Sequence, residues 1–474
     1  MNFIQKLNQN SKYYLLLIIF FSVLLRIGTA FFLGNNIINL PGIADQISYN
    51  TLAIRFIQGH GFTFDRLWWP ITRANQPTAH WSYLYTLYLA AVYSFFGVKP
   101  AIARLIQAVA GGILMPYFAY RISRSVFKSK IIDPTLHVTN DPDSKSNSLG
   151  LIIPLVSALW VALYGYFIYY AAALVTETFY IIGIFWCLDC ALRIRFQARK
   201  TLPRVSKIYF IKWIELGISI GFTVLLRQVF LLFLPFLFFW FIFDNYRLIK
   251  TNQALTKIDY KKLIYGGVIS VIIIMLLVLP ITIFNYNQFQ RFVLLNTNSG
   301  YAFFWANHPI HKEHFIPIFT PEMLSYQHLI PAHLTELDEA ALDQELLKLG
   351  LGFVSQEPIR YIKLSLSRIP VYFEFWPKAT SSIPSNITRV LSFGIAFPFM
   401  IIGILYWGIK TKQDYYFLSP GVLLLIFMII YSLIHLLSWA LIRYRLPVDA
   451  VGLIFAAQGI VGLYQKFFLK RTSA

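Results

Sequence analysis

Tyr13–Leu33 reads YYLLLIIFFSVLLRIGTAFFL, and after a short break residues 42–62 read GIADQISYNTLAIRFIQGHGF. The first stretch is an apolar run of about 20 residues, long enough to cross a bilayer. It carries no small-residue cleavage site, so it is expected to stay as a span and not to be removed as a signal. The second stretch is built differently. Tyr49, Leu52, Ala53, Phe56 and Ile57 recur at i, i+3, i+4, i+7 and i+8, the pattern of an amphipathic helix expected to lie on the membrane surface. Asp45 opens that helix. Its spacing admits two readings: an N-cap that accepts hydrogen bonds from free backbone N–H groups, or a catalytic acid placed where a lipid-linked substrate meets water.

Composition makes the bilayer the solvent of this chain. Of 474 residues, 57% are hydrophobic, 18% aromatic and 13% charged, and the mean hydropathy is +0.59. This excludes a soluble enzyme with an anchor and points to an all-α polytopic membrane protein. A formal net charge of +20 would suggest nucleic acid in a soluble protein. Here the basic residues cluster between apolar runs, where they report orientation, and no nucleic-acid partner is expected. Arg121, Arg124, Lys128 and Lys130 form one cluster; Arg193, Arg195, Arg199, Lys200 and Arg204 a second; Arg247, Lys250, Lys257, Lys261 and Lys262 a third. With Lys410, Lys412, Lys466, Lys470 and Arg471 they mark the cytoplasmic side and place both termini there. Cys187 and Cys190 form C-x-x-C inside an apolar stretch, without water or a redox partner, and read as packing residues.

An odd number of crossings must separate Leu33 outside from Arg121 inside, yet two apolar stretches intervene, Trp81–Phe96 and Ala101–Tyr120. The first, about 16 residues, is below spanning length and is expected to form a second surface or re-entrant helix. Residues 34–100 then make one external segment. Further crossings are expected at Leu151–Phe167, Ala171–Leu192, a pair within Trp213–Phe243 that meets at Arg227, Leu263–Phe284, Arg389–Ile409, Phe417–Ala440 and Leu446–Tyr464, about ten in all. This divides the chain into an N-terminal membrane module (1–284), a polar external cap (285–386) and C-terminal membrane helices (387–474). Within the cap, LTELDEAALDQELLKLG (334–350) carries Glu336, Asp338, Glu339, Asp343 and Glu345 around a helical period, which reads as a solvated face.

Charges near hydrocarbon cost about 2.5–3.5 kcal/mol each on insertion scales, so each needs a partner or a task. Glu177 lies in the first turns of its span, near the external surface and level with Asp45. A carboxylate favoured by the helix macrodipole is the plain alternative. Arg227 sits at the tip of the short helix pair, where a guanidinium can grip a phosphate or snorkel to headgroups. Arg443 and Arg445 flank Tyr444 ahead of Pro447, on the side where positive charge is usually depleted, and read as a fixed fork for an anion. His80 precedes the second surface helix and faces the same region, either as a ligand to sugar or phosphate or as an interfacial histidine. His308, His311 and His314 do not have zinc spacing, and Pro309 interrupts any helix through them.

Taken in order, these segments resemble the GT-C glycosyltransferases of the protein O-mannosyltransferase and aminoarabinose transferase type. ADQISYNTLAIRFIQGHGF (44–62) resembles the acid, tyrosine and glycine pattern of that family's first external loop, and VTETFY (175–180) its second-loop acid. LLRQVFLLFLP (225–235) is similar to its leucine-threonine-arginine-proline segment with Gln228 in place of proline. NTNSGYAFFWANHP (296–309) resembles its asparagine-glycine, asparagine-proline signature, and RYRLPVDA (443–450) its closing arginine-tyrosine-arginine motif. The resemblance implies a GT-C-like bundle that takes sugar from a polyprenyl-phosphate donor and inverts the anomeric centre. Asp45 would be the base, Glu177 its support, and Arg227, Arg443 and Arg445 the holders of the donor phosphate. Tyr49, His80, Asn298, Tyr301, Asn307 and Tyr444 are the further substrate-contacting candidates.

No cofactor is required by this reading, and a divalent cation, magnesium or manganese, is the one candidate. Gln46 after Asp45 leaves no paired acid beside it. The acceptor is a lipid, glycan or protein hydroxyl. The rival class, a transporter or flippase of a lipid-linked or anionic substrate, would place ionisable residues at the bilayer midplane on broken helices, and Arg26 alone is so placed. The topology is checked by single-cysteine labelling. A Lys99→Cys protein is expected to react with an impermeant reagent added outside, and access only from the cytoplasm overturns the map.

Overall fold

The computed structural model describes residues 10–40, 43–127, 152–198, 207–251, 260–317, 325–379, 381–411 and 419–469. Among these it is helical, with isolated bridges at Leu40/Ile43, Thr63/Pro77 and Trp68/Thr72 in place of strands. The helices are α1 (Ser11–Leu33), α2 (Asp45–Ile57), α3 (Tyr83–Phe96), α4 (Pro100–Phe127), α5 (Ile153–Leu163), α6 (Gly165–Ala172), α7 (Glu177–Ala198) and α8 (Lys207–Leu226). After a 3-10 turn at Gln228–Phe233 come α9 (Leu234–Thr251), α10 (Tyr260–Phe289), α11 (Ser299–Asn307), α12 (Glu339–Gln356) and α13 (Pro358–Tyr372). The chain closes with α14 (Ile383–Arg389), α15 (Ile395–Lys410), α16 (Gly421–Leu437) and α17 (Ile442–Tyr464).

Every expected crossing meets a helix, but their ends differ. Six helices among the described residues are long and apolar enough to span a membrane, or seven if the bent pair α5 and α6 counts as one. That makes the chain an integral membrane protein, while the expected ten crossings exceed the number that passes on length and composition. Helix α7 carries Asp189, Arg193 and Arg195, and these charges are neutralised within the fold: Asp189 pairs with Arg121 and Arg193, and Arg195 with Asp244. Arg121, Arg193 and Arg195 thus meet partners where solvated loops were expected. Lys128, Lys130, Arg199, Lys200, Arg204, Lys257, Lys412, Lys470 and Arg471 lie outside the described residues.

The expected single span at Leu151–Phe167 is broken, with a 50° bend between α5 and α6. Arg26, fully buried, fills the break by donating to the carbonyls of Val161 (3.1 Å) and Ala162 (3.0 Å). A broken helix leaves backbone acceptors without intrahelical donors, and here the midplane arginine is their donor. Arg26 is therefore a structural plug.

Helix α17 is the axis of the bundle, with 89% of its apolar window buried, against 17% for α1 and 22% for α10. The outer faces of those two helices, including Phe20, Phe21, Met275 and Leu276, are exposed and apolar enough to face lipid. Helices α15 and α17 approach through small residues. A Cβ on Gly403 would stand 1.7 Å from the Phe455 carbonyl oxygen, and one on Gly459 2.4 Å from that of Phe399, so only glycine admits this crossing.

At one end of the bundle, α2 and α3 pack together and α11 and α12 fold over them. The acids of α12 hold this layer in place. The expected solvated face holds for exposed Glu336 and Asp338 but not for Glu339 and Asp343, which are 7% and 8% exposed. Glu339 accepts from Thr72 Oγ1 (2.7 Å), the Ala79 N–H (2.8 Å) and Thr297 Oγ1 (2.5 Å). Asp343 Oδ1 accepts from the N–H groups of Gly300 (2.8 Å) and Tyr301 (3.1 Å). Four residues apart, the two carboxylates share one helical face with Leu342 and Leu346, and they tie the 72–79 loop and α11 to α12.

Burial pushes the Asp343 carboxyl up to about 7, against the pull of its two N–H donors. An unfolded chain holds this group near the ordinary value of about 3.9. Its preference for the protonated form is therefore a stabilisation that is complete below about pH 4 and is lost as pH rises through about 7. Thermal unfolding of purified protein is expected to show stability falling between pH 5 and pH 8. Asp343→Asn, which keeps an acceptor for both N–H groups but cannot ionise, should remove that part of the slope.

Candidate functional site

The site forms where α2, α7, α8 and α17 end together beneath the cap. Asp45 is the first residue of α2, and the N-cap is Ala44, with no side-chain capping bond. The capping reading of Asp45 thus gives way to another: its Oδ2 meets Arg443 Nη1 at 2.5 Å. Helix α17 begins at Ile442, and Arg443 stands in its first turn. Glu177 is the first residue of α7, where the helix dipole favours a negative charge. Arg227 follows the last residue of α8 and donates to Glu177 Oε1 (2.5 Å) and Thr176 Oγ1 (2.9 Å).

The two ion pairs converge on one aromatic ring. The Arg443 and Arg227 guanidinium carbons lie 5.1 and 5.5 Å from the Tyr444 ring centroid, and Arg227 is also 5.5 Å from the Tyr180 ring. Tyr444 is fixed by His435, stacked at 4.9 Å. Tyr49, one turn after Asp45, senses Asp45, Arg227 and Glu177 together, and burial followed by the Asp45 charge pushes its hydroxyl up. Charges packed this closely with apolar walls interact far more strongly than in water. The set is neutral as it stands. It is also incompletely bonded: Glu177 Oε2 and Arg443 Nε are buried without a hydrogen-bond partner. Two guanidiniums beside one ring can offer N–H donors to an anion, with a carboxylate beside it able to take a proton.

Arg445 is elsewhere. The expected fork with Arg443 does not form, because residues two apart on a helix point to different sides and Pro447 lies inside α17 and not in a turn. Arg445 is fully buried, bonded to Asp449 Oδ1 (2.9 Å) and the Tyr372 carbonyl (2.7 Å), and Tyr164 donates to the other Asp449 oxygen (2.7 Å). It locks α17 to the bundle. Asn307 likewise supports the cap, accepting from Arg368 at 2.9 Å.

Asn298 accepts from Gln228 (3.0 Å) and donates to the His80 carbonyl (3.4 Å), so Gln228, standing where the motif has proline, couples the Arg227 turn to the cap. His80 and Tyr301 form a neighbouring aromatic group with ring centroids 5.5 Å apart. His80 is buried, which holds its imidazole below the ordinary range although Glu339 pulls the other way. Sequence reading passed over Thr176 and His435, and it assigned to a solvated face Glu339 and Asp343. For the last two a signal existed, since both acids fall on the apolar stripe of α12.

The donor set does not suit a dication. Each candidate acid already has an arginine at contact distance, so a metal ion would face two fixed positive charges. Among the described residues no three His, Cys, Asp or Glu side chains converge as ligands, His308, His311 and His314 included.

No family model matches the chain, and no curated protein matches it either. Among solved structures it is similar to the oligosaccharyltransferase AglB of Archaeoglobus fulgidus in complex with an inhibitory peptide and a dolichol-phosphate, at 16% identity and a TM-score of 0.57. That match covers 98% of this chain and 52% of the other. The same enzyme in its apo form gives 17% identity and a TM-score of 0.58, with the same coverage. ArnT of Cupriavidus metallidurans bound to undecaprenyl phosphate matches more loosely, at 13% identity and a TM-score of 0.38 over 94% of this chain and 77% of that one. The chain spans about half the length of the oligosaccharyltransferase chains it matches. What it shares with those oligosaccharyltransferase chains is the fold.

Proposed function

We propose that the protein is an inverting glycosyltransferase that moves a sugar from a polyprenyl-phosphate donor to an acceptor hydroxyl, on the external face of the membrane, with both termini cytoplasmic. The observation that carries this reading is the convergence of the Asp45–Arg443 and Glu177–Arg227 pairs on Tyr444. The fold it shares with an oligosaccharyltransferase solved with dolichol-phosphate supports the choice of a lipid phosphate. The acceptor is a lipid, glycan or protein.

In this mechanism the donor phosphate lies between Arg227 and Arg443 and competes for their N–H groups. Arg443 then turns from Asp45 to the phosphate, and the freed carboxylate accepts the proton of the attacking hydroxyl. The acceptor oxygen bonds to the anomeric carbon, the bond from that carbon to the phosphate oxygen breaks, and its electron pair stays on the phosphate. The leaving group needs no proton, because the arginines stabilise its charge in place. One displacement inverts the centre, unlike the double displacement of retaining glycosidases. Glu177 keeps Arg227 aimed at the phosphate. No step is routed through a metal ion.

Asp45→Asn is expected to leave an inserted, folded protein whose turnover falls about 10²–10⁴-fold, the usual worth of a general base. The measurement is transfer by purified protein in proteoliposomes, and near-normal turnover would remove Asp45 from the role. Glu177→Gln should lower the same rate by a smaller factor.

Arg227→Ala should weaken donor binding by about 1.5–3 kcal/mol, the scale of a charge-assisted hydrogen bond. It also strands Glu177 as a buried unpaired charge, so Arg227→Ala combined with Glu177→Gln isolates the phosphate contact from that penalty. Arg227→Lys should rescue in part, a point charge lacking the guanidinium fork. Turnover with a nucleotide sugar in the absence of any polyprenyl phosphate, or unchanged donor affinity in the double variant, would refute the assignment.

A further inference from the structure

Beside the charged site, five aromatic side chains from three separate segments close on one another. Trp69 comes from the first loop, His80 and Trp81 from the lead into α3, and Tyr301 and Trp305 from α11 in the cap. Four of the rings form a closed circuit with similar centroid separations: Trp69–His80 5.4 Å, His80–Tyr301 5.5 Å, Tyr301–Trp305 5.4 Å and Trp305–Trp69 5.4 Å. Trp81 closes the side toward the charged site, 5.2 Å from His80 and 5.5 Å from Tyr49.

An apolar core would account for the rings but not for their polar atoms. Trp81 Nε1, Trp305 Nε1 and the Tyr301 hydroxyl are each buried without a hydrogen-bond partner, and Tyr301 is 1% exposed. Burying one such donor unpaired is costly, and three of them belong to one small group. Trp69 differs from its neighbours in being 43% exposed, so it is the wall through which the group opens to water. Indole and phenol edges that lack acceptors, set among ring faces, match a ligand with apolar C–H faces and a rim of hydroxyls.

We infer that the Trp69, His80, Trp81, Tyr301 and Trp305 group is a sugar-binding subsite, which a pyranose ring enters by displacing the Trp69 indole, stacking on these faces and accepting hydrogen bonds from Trp81, Trp305 and Tyr301. The inference rests on the glycosyltransferase reading for its place in the reaction. Two sources carry this chemistry, the transferred sugar of the donor and a glycan acceptor, and Tyr49 and Trp81 put the subsite next to Asp45 in either case.

The test uses full-length protein in nanodiscs. Three probes are compared: undecaprenyl phosphate, undecaprenyl phosphates bearing a glucosyl, mannosyl, galactosyl or aminoarabinosyl group, and the methyl pyranosides of the same sugars. Carrier affinities are read by native mass spectrometry and free glycosides by saturation-transfer NMR. At least one sugar-bearing carrier should bind about tenfold tighter than the bare carrier, which identifies the donor sugar. Alternatively, a free glycoside should give saturation transfer while the sugar adds nothing to carrier binding, which identifies an acceptor glycan.

In either case Tyr301→Phe should reduce the sugar-dependent part about tenfold and leave bare-carrier affinity as it was. Because that variant removes an unpartnered hydroxyl, its thermal midpoint should hold or rise, which separates lost binding from lost structure. Trp69→Ala should act in the same direction, with Trp69→Phe recovering part of the loss. Equal binding of bare and sugar-bearing carriers together with no glycoside signal, or a sugar preference that Tyr301→Phe does not alter, overturns the subsite. Failure of bare undecaprenyl phosphate to bind the unaltered protein would instead count against the phosphate role of Arg227 and Arg443, and the glycoside measurement would still decide the subsite.

Discussion

A charge at the edge of a hydrocarbon layer must have a counter-charge close by, and the architecture at the cap end of the bundle follows from that requirement. Asp45 and Arg443 stand at the starts of two helices nearly the whole chain apart in sequence, and their contact brings the first loop onto the last membrane helix. Glu177 and Arg227 do the same for α7 and α8. Desolvating a carboxylate or a guanidinium alone is costly, so each pair holds its helices in place as long as nothing else offers to neutralise it. An incoming anion makes that offer. Under the proposed function, a site that is neutral and closed by its own charges is one that the donor phosphate reorganises.

The cap is held by the same logic applied to backbone groups. Glu339 and Asp343 face inward because the loops they meet present N–H and hydroxyl donors with no other partner: the Ala79, Gly300 and Tyr301 amides and the Thr72 and Thr297 side chains. The close approach of α11 to α12 at Gly300, where a Cβ would stand 1.7 Å from the Asp343 carbonyl oxygen, leaves no space for water to supply those bonds. Buried donors and acceptors satisfied in this way specify one arrangement of the layer. That arrangement sets the aromatic group of Trp69, His80 and Tyr301 beside Asp45.

Two neighbouring arginines show how far helix geometry overrides sequence proximity. Arg443 reaches the charged site, while Arg445 turns into the bundle to meet Asp449, Tyr164 and the 372–374 carbonyls. Both roles depend on α17 starting at Ile442, which places Pro447 within the helix and not in a turn. A motif read as a single anion fork is thus one residue paired with Asp45 and one structural bolt.

Sequence alone determined the all-α membrane architecture, the positions of the helices, the shortness of α3 and the need of Asp45, Glu177, Arg227 and Arg443 for partners, because apolar run length and isolated charges in hydrocarbon are local properties with large energies. It also suggested a helical membrane fold like the one found in the oligosaccharyltransferase chains. The pairing of those charges, the separation of Arg445 from Arg443, the inward turn of Glu339 and Asp343, the break between α5 and α6 plugged by Arg26, and the closed ring of aromatics were decided only in the tertiary structure. Each depends on which distant backbone groups and counter-charges arrive at the same place. A one-dimensional pattern shows that a charge or ring needs a partner, but only the packed helices select which one it finds.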